Sequence, residues 1–262
     1  MKWHRINALF LRHLYPLKRD FDLLSDMIYW PLIDTVLWGV TGQWLSSNAA
    51  DGGATLLVSI LLGLVLWNVI WRSQAEVSRN LMDEIWNNNL INLFSTPLTV
   101  PEWLISVLLL SMVKTVITLT LLVPVIFFLY AINVFQLGWW LPVFFLGTTM
   151  TGWWIGFISA GIVLRYGPKM QTVIWTLPGI LLPFSAIYFP LDRLPEVIQP
   201  ISRILPTTYI FEVMRQLVYG QPVQIEYMFY SFALNILYVG LTLVYFAKSF
   251  KYSCNLGLGR FN

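Results

Sequence analysis

Groups that could bind a metal ion or form a disulfide are scarce in this sequence, which has one cysteine, Cys254, and two histidines, His4 and His13. A single cysteine excludes an intramolecular disulfide and any paired-cysteine metal or redox motif. The sequence also contains no GxxxxGK[ST], GxSxG or HExxH, which are the signatures of a P-loop, a serine hydrolase and a zinc protease. We therefore expect no catalytic residue, no metal site and no cofactor in this chain.

Charged residues are also scarce, at 11% of the 262 residues, whereas 57% are hydrophobic. Soluble domains carry roughly a quarter charged residues, so this composition predicts an all-α integral membrane protein, formed as a single domain over residues 1–262. A membrane-spanning helix needs ~20 predominantly apolar residues. Six segments meet this requirement: 23–45, 54–72, 104–131, 140–164, 170–189 and 225–247.

The lysine and arginine residues are unevenly distributed between the two sides that six spans define. An even number of spans places both termini on one side, and most of the 16 basic residues fall on that side. The positive-inside rule therefore predicts cytoplasmic termini and a cytoplasmic segment 73–103. Residues 1–20 have helically spaced apolar side chains among basic ones, which predicts an interfacial amphipathic helix rather than a cleaved signal. A plain cytoplasmic tail is the alternative.

A polar stretch, EIWNNNLINLFSTPLT at residues 84–99, interrupts the apolar sequence. Residues 80–96 can form a short helix with an apolar side and a polar side. Pro97 limits its extension, because the residue before proline is pushed out of the helical region. Large apolar side chains on a cytoplasmic helix indicate burial by a partner protein, whereas a solvated helix without a partner is the alternative.

Residues 84–99 resemble the coupling-helix segment of the ABC-2 type transporter permeases. That segment has an acid, then Gly-Thr-Leu, then apolar residues, then Ser/Thr-Pro-Leu-Ser. Here Asn88-Asn89 replaces Gly-Thr, which affects the local turn, although asparagine tolerates unusual backbone angles better than most residues. The resemblance assigns ATPase coupling to Asp83, Glu84, Asn88, Asn89, Leu90, Leu93, Phe94 and Pro97.

A second stretch, residues 189–220, is similar to the family's segment after the fifth span. In that segment a Pro-rich amphipathic stretch precedes Asn-Pro-Leu-Thr-Tyr, an acid, an arginine and a glycine, and here Leu205 replaces the asparagine. The matching positions are Pro206, Thr208, Tyr209, Glu212, Arg215 and Gly220. Because both motifs occur in order, the chain is identified as a member of this family.

The resemblance implies a permease subunit of an ATP-driven exporter in a prokaryotic inner membrane. Two permease chains would pair, as a homodimer or a heterodimer, and two separate ABC ATPase subunits would bind ATP and Mg²⁺ and dock on residues 80–96. The substrate would be hydrophobic, lipid-like, drug-like or a glycan. The chain would contact membrane lipids and would have no nucleic-acid partner. A membrane-integral lipid-modifying enzyme and a scaffold subunit without transport activity are the alternatives.

The segment 190–222 is rich in apolar residues although it lies on the predicted outer side. It predicts two short re-entrant helices broken at Pro206, which the resemblance makes the outer gate, with Pro206, Tyr209, Glu212 and Arg215 as its residues. Glu212 and Arg215 are three apart on one helical face and can form an ion pair. An inert lid that only packs the dimer is the alternative.

Two charged residues, Asp34 and Lys114, fall deep inside predicted spans. Counted from the cytoplasmic ends of the first and third spans, both lie ~15–17 Å into the membrane. A lone charge at such depth is costly, and opposite charges at equal depth can offset that cost. We therefore predict an interhelical Asp34–Lys114 pair, either direct or joined by water. The alternative has Asp34 protonated or facing the translocation path and Lys114 extending elsewhere.

Overall fold

A computed structural model describes residues 1–48 and 53–257, and every regular element within these ranges is helical. The helices are α1 (Trp3–Leu14), α2 (Phe21–Asn48), α3 (Gly53–Trp86), α4 (Leu90–Ser95), α5 (Val100–Tyr130), α6 (Trp140–Tyr166), α7 (Val173–Leu181), α8 (Gln199–Arg203), α9 (Pro206–Val218) and α10 (Ile225–Asn255). Short 3-10 turns lie at Tyr15–Lys18, Val134–Leu137, Pro168–Met170, Leu182–Phe184 and Leu191–Arg193.

Four of the helices, α3, α5, α6 and α10, are long and apolar enough to cross a membrane. Helix α2 has 28 residues but is less apolar, since Asp26 and Asp34 lie within it. The prediction of a continuous spanning helix at 170–189 is wrong, because α7 has nine residues and gives way to a 3-10 turn. Pro183, in that turn, has no backbone N–H to donate, so a hydrogen bond that would continue the α-helix is missing there.

The centre of the bundle is the contact between α3 and α6, where small residues let the two backbones approach closely. A Cβ atom added to Gly152 would lie 2.7 Å from the carbonyl oxygen of Ile70, and one added to Gly156 would lie 2.9 Å from that of Gln74. This small-xxx-small spacing is the usual way for membrane helices to pack tightly. The hydroxyl of Ser78 donates to the carbonyl of Gly156 at 3.2 Å and joins the same two helices.

Helices α3 and α5 are longer than the membrane requires. Their 34 and 31 residues correspond to about 51 and 46 Å at 1.5 Å per residue, compared with a hydrocarbon layer of about 30 Å. Both helices reach the end of the bundle where α1 and α4 lie, which we call the α4 end. The opposite end carries α8 and α9, and we call it the α9 end.

Helix α2 runs antiparallel to α3 along most of its length. Near the α9 end, a Cβ atom added to Gly42 would meet the side chain of Leu57 at 2.7 Å. Near the α4 end, the Asp26 carboxylate is 3.1 Å from the Arg72 guanidinium. These two contacts show which residues of α2 and α3 lie at the same height along the bundle.

Candidate functional site

The segment predicted to be one helix over 80–96 is divided between two elements. Helix α3 continues to Trp86, and α4 begins at Leu90. Asn88 between them has a positive φ of 52°, a left-handed conformation that asparagine adopts more readily than most residues. The asparagines that replace the family's Gly-Thr therefore form the turn that reverses the chain between α3 and α4.

Leu90 and Leu93 of α4 are buried within this chain, with 3% and 7% of their surface exposed. They belong to an apolar cluster that includes Trp103 of α5 and Phe246 of α10. The expectation that a partner protein buries these leucines is therefore wrong. The sequence showed that α4 has an apolar side, but it could not show that the ends of α5 and α10 extend far enough to cover that side.

The exposed residues at this end include two of the predicted ones, Asn88 and Pro97, together with residues that were not predicted. Ile91 is 41% exposed, and Asn92 and Pro97 are exposed as well. Phe94 is partly buried, with its ring 4.7 Å from that of Phe250. Trp86, the last residue of α3, is 58% exposed. Over 86–97, the exposed residues at this end are Trp86, Asn87, Asn88, Ile91, Asn92, Ser95, Thr96 and Pro97, and we call them the α4 surface.

Helix α1 holds the α4 segment through Glu84, whose carboxylate is almost fully buried. The Arg12 guanidinium lies 2.9 Å from one Glu84 oxygen and donates to the other at 3.0 Å. Asn89 donates to the same carboxylate. Asp83, the neighbouring acid, is partly buried, and burial raises its pKa although Arg79 opposes the shift. Glu84 thus acts inside this chain, where it ties α1 to the turn before α4.

A second carboxylate, Glu102, ties α1 to the beginning of α5. It accepts hydrogen bonds from the backbone N–H groups of Thr99 at 3.0 Å and Lys2 at 2.8 Å, and the Arg5 guanidinium is 3.6 Å away. The backbone donors, with Thr99 first, lower the pKa of Glu102 to about 2. Thr99 and Glu102 form a capping box that begins α5, as expected where two orphan backbone donors need acceptors.

His13 makes the attachment of α1 sensitive to pH. Its ring lies 3.6 Å from Glu84, but burial outweighs this carboxylate and lowers the pKa of His13 from 6.5 to about 4. Between these two values the unfolded chain binds a proton that the folded chain does not, so stability falls as the pH is lowered through this window. We expect about 1 kcal/mol less stability at pH 5.5 than at pH 7.5 from this residue. Thermal unfolding of His13→Gln at both pH values should show a smaller difference than the parent protein, and an equal difference would contradict the assignment.

A network of buried charges joins α2, α3 and α5 near the α4 end. Lys114 donates to Glu76 at 2.7 Å, and the second Glu76 oxygen is 3.6 Å from Arg72. The Asp26 carboxylate of α2 lies 3.1 Å from the Arg72 guanidinium and 2.9 Å from the Arg79 guanidinium. Glu76 and Lys114 have 1% and 5% of their side-chain surface exposed, so their charges are stabilised by each other and not by water.

The predicted Asp34–Lys114 pair is not formed, because Lys114 pairs with Glu76. Asp34 lies eight residues after Asp26 on α2, which is about 12 Å further from the α4 end, whereas Lys114 belongs to the network at the level of Asp26. The prediction counted depth from residue 104, whereas the structure places Lys114 at the level of Glu76. Glu76, Arg72 and Arg79 were missed, although their spacing of four and seven residues on one helix face was a readable signal.

A cavity of about 1350 Å³ lies between α2, α3, α5 and α7. The charged network and Glu84 line it towards the α4 end, and both Asp34 and Lys114 belong to its wall. The wall also contains many aromatic side chains: Tyr29, Trp30, Trp38, Trp67, Trp71, Trp86, Trp175 and Tyr188. Trp38 and Tyr188 stack with ring centroids 4.0 Å apart. The cavity thus has a charged end towards the α4 end, and aromatic side chains form much of the rest of its wall.

At the α9 end, Glu212 and Arg215 form the predicted ion pair at 2.8 Å. Arg215 also donates to the carbonyls of Ala186 at 2.7 Å and Ile187 at 3.3 Å, and Glu212 accepts from the N–H of Leu191 at 2.7 Å. The pair therefore holds the irregular segment after α7 against α9. Pro206 is the first residue of α9, where its missing N–H costs no hydrogen bond, and the Tyr209 hydroxyl donates to the Arg203 carbonyl at 2.7 Å.

Replacing Arg215 with alanine should loosen the segment that follows α7. The change leaves the Ala186 and Ile187 carbonyls without their charged donor, and hydrogen bonds to charged groups contribute about 1.5–3 kcal/mol. Local opening around Arg193, which is 79% exposed, should increase roughly tenfold or more. Trypsin cleavage after Arg193, followed by mass spectrometry, measures this opening. As a control, Arg203→Ala, a change at an exposed arginine, should be cleaved after Arg193 at the parent rate. An unchanged cleavage rate in Arg215→Ala would contradict the role of Arg215 in holding this segment.

The chain matches a known protein family. A family model described as ABC-2 type transporter matches residues 18–219, which is more than three-quarters of the chain. The matched range begins just after α1 and ends just after α9, so it includes α4, the charged network, the Glu212–Arg215 pair and all of the cavity wall except Arg12, His13 and Pro16. A comparison with curated proteins gives no significant match.

Proposed function

The chain belongs to the ABC-2 type transporter family, and we propose that it is the permease subunit of an ATP-driven exporter whose ATP-binding subunits are separate chains. It is a multi-pass membrane protein, and the family generally partners with an ABC ATPase. The observation that carries the proposal is α4, a short helix with an exposed outer face, attached rigidly to the ends of long spanning helices. ATP and Mg²⁺ would be held by the partner.

We further propose that the α4 end lies in the cytoplasm and that α2 and the α7–α9 region complete the membrane domain. The basic residues of α1 and of the end of α3 are at the α4 end, as the positive-inside rule requires for a cytoplasmic surface. Helix α2 lies alongside α3 and is long enough to span. The irregular backbone between α7 and α8 is covered by α9 through the Glu212–Arg215 pair, which is what such backbone needs at membrane depth.

Motion of α4 would reach the spanning helices through the contacts that bury its inner face. Leu90 and Leu93 pack against the beginning of α5 and the end of α10, and Glu84 connects the turn before α4 to α1. When ATP binding closes the partner subunits, α4 would move with them and tilt α5. The cavity between α2, α3 and α5 would then change shape, and the α9 region would act as the outer gate.

A second copy of the chain would complete the transporter. One side of α2 exposes a row of apolar side chains: Tyr29, Ile33, Val36, Leu37, Val40 and Trp44. In a monomer this side would contact only lipid, and in a homodimer it would contact the partner copy. Size-exclusion chromatography with light scattering on the detergent-purified chain distinguishes one permease from two.

The assignment of ATP hydrolysis to a separate subunit is tested with the purified chain and a candidate ATPase subunit from the same genome. The chain alone should show no vanadate-sensitive ATP hydrolysis, because its sequence has no P-loop. The ATPase subunit should bind it, and its hydrolysis should change when the two are reconstituted together in nanodiscs. Vanadate-sensitive hydrolysis by the permease alone would contradict the proposal.

A further inference from the structure

Asp34 occupies an unusual position on α2, between two tryptophans. Trp30, Asp34 and Trp38 are spaced four residues apart, so all three lie on one face of the helix, and all three line the cavity. The indole of Trp30 is 57% exposed, and the stack of Trp38 on Tyr188 lies one turn further along. A carboxylate flanked by aromatic rings therefore faces the cavity within the membrane-spanning part of α2.

Asp34 also differs from Asp26, Glu76 and Glu84, three carboxylates at the charged end of the cavity, in having no counter-ion. Asp26 is paired with Arg72 and Arg79, Glu76 with Lys114, and Glu84 with Arg12. Within residues 1–48 and 53–257, the Asp34 carboxylate forms no salt bridge and accepts no hydrogen bond. An ionisable group inside a membrane protein marks a functional site by default when it faces a cavity.

The chemistry of this wall selects a positively charged ligand. The carboxylate attracts a cation and repels an anion, and the faces of Trp30, Trp38 and Trp67 carry the negative side of the ring quadrupole, which attracts cations over its surface. The same rings provide apolar area for the body of the ligand. A neutral glycan would stack on the rings but would leave the carboxylate without its charge partner.

We propose that the cavity binds a lipophilic organic cation, such as an amine or onium compound with an aromatic or alkyl body, with its charge at Asp34. Only one part of this inference rests on the proposed function, namely that the bound cation is the transported substrate. Binding itself needs no partner subunit. The charged network at the α4 end would not compete for a cationic ligand, since its three cations, Arg72, Arg79 and Lys114, outnumber its two anions, Asp26 and Glu76.

Tetraphenylphosphonium and tetraphenylborate provide a matched pair of probes, because they have nearly the same size and shape and opposite charges. Equilibrium binding is measured on the full chain in nanodiscs, with empty nanodiscs of the same lipid subtracted. Tetraphenylphosphonium should bind saturably at one site per chain, and tetraphenylborate should show no saturable binding. Saturable binding of both ions, or of neither, would overturn the proposal.

Substitutions at the site identify the groups responsible. Asp34→Asn removes the charge at nearly constant volume and should weaken tetraphenylphosphonium binding about tenfold or more. Asp34→Glu should retain most of the affinity, and Trp38→Leu should weaken binding roughly three- to tenfold, with Trp38→Phe between. Asp192→Asn, the same change at an exposed acid near the α9 end, should bind as the parent does. Parent-like binding by Asp34→Asn would overturn the assignment.

The outcome is independent of the test of the proposed function. If the partner ATPase is stimulated by the chain but Asp34→Asn binds tetraphenylphosphonium normally, the exporter proposal stands and the cation site is wrong. If no ATPase subunit binds the chain but the probe binding depends on Asp34, the site stands and the exporter proposal fails. Unfolding temperatures within about 2 °C of the parent ensure that a loss of binding is not a loss of fold, and Asp34→Glu provides the rescue.

Discussion

Replacing Glu76 with glutamine should destabilise the protein by about 3–5 kcal/mol, because it leaves the ammonium of Lys114 buried beside Arg72 with no anion between them. Glu76 is 1% exposed and contacts both cations, so water cannot substitute for it. In a chain of this size the loss corresponds to a fall of about 10 °C in the unfolding temperature. Thermal unfolding in detergent, followed by tryptophan fluorescence, measures this change.

The double variant Glu76→Gln with Lys114→Met separates the charge effect from a packing effect. It removes both buried charges, so it should recover most of the loss. Lys114→Met alone should cost less than Glu76→Gln, since Glu76 keeps Arg72 as a counter-ion and accepts from Asn80 at 3.4 Å. The network does not stabilise the protein in this way if the free energy of unfolding of Glu76→Gln lies within about 1 kcal/mol of the parent value. The same conclusion follows if the double variant is no more stable than Glu76→Gln.

Replacing Ile91 with aspartate should prevent stable binding of the ATPase subunit while leaving the fold intact. Ile91 is the most exposed large apolar residue of α4, and a buried residue at the centre of an interface costs about 2 kcal/mol or more when its contact is lost. The fraction of ATPase subunit that co-purifies with the permease should fall about tenfold or more.

Two further variants provide the controls for Ile91→Asp. Val197→Asp makes a comparable change at an exposed residue near the α9 end, and it should co-purify with the ATPase at the parent level. Leu90→Asp places a charge in the cluster with Trp103 and Phe246, so it should lower the folded yield itself. Parent-level ATPase binding by Ile91→Asp would contradict the role of the α4 surface.

The sequence predicted those parts of the fold that depend on local pattern. The apolar runs identified four long helices that can cross a membrane, proline positions indicated the beginning of α9 and the end of α4, and the three-residue spacing identified the Glu212–Arg215 pair. Asn88 was expected to tolerate an unusual backbone conformation, and it has a positive φ. Apart from the apolar runs, which extend along whole helices, each of these features depends on residues within one or two helical turns of one another.

The sequence did not predict features that depend on how far helices project and which helices lie side by side. The pairing of Lys114 with Asp34 assumed that α5 begins at the membrane surface, whereas its additional length moves Lys114 to the level of Glu76. The burial of Leu90 was assigned to a partner protein because nothing local shows that α5 and α10 cover α4. The continuous helix at 170–189 was inferred from hydropathy alone, which does not weigh Pro178 and Pro183.

We expect the ATPase subunit to bind at α4 and not at the α9 end. Cys254 is the one cysteine in the sequence, so Cys254→Ser provides a background without cysteine, into which Ile91→Cys or Val197→Cys is introduced. A bifunctional reagent reactive with thiol and amine groups is then added to the permease–ATPase complex in nanodiscs. We expect a covalent permease–ATPase product from Ile91→Cys and none from Val197→Cys. A product from Val197→Cys, or none from Ile91→Cys in a complex shown to be intact, would contradict this expectation.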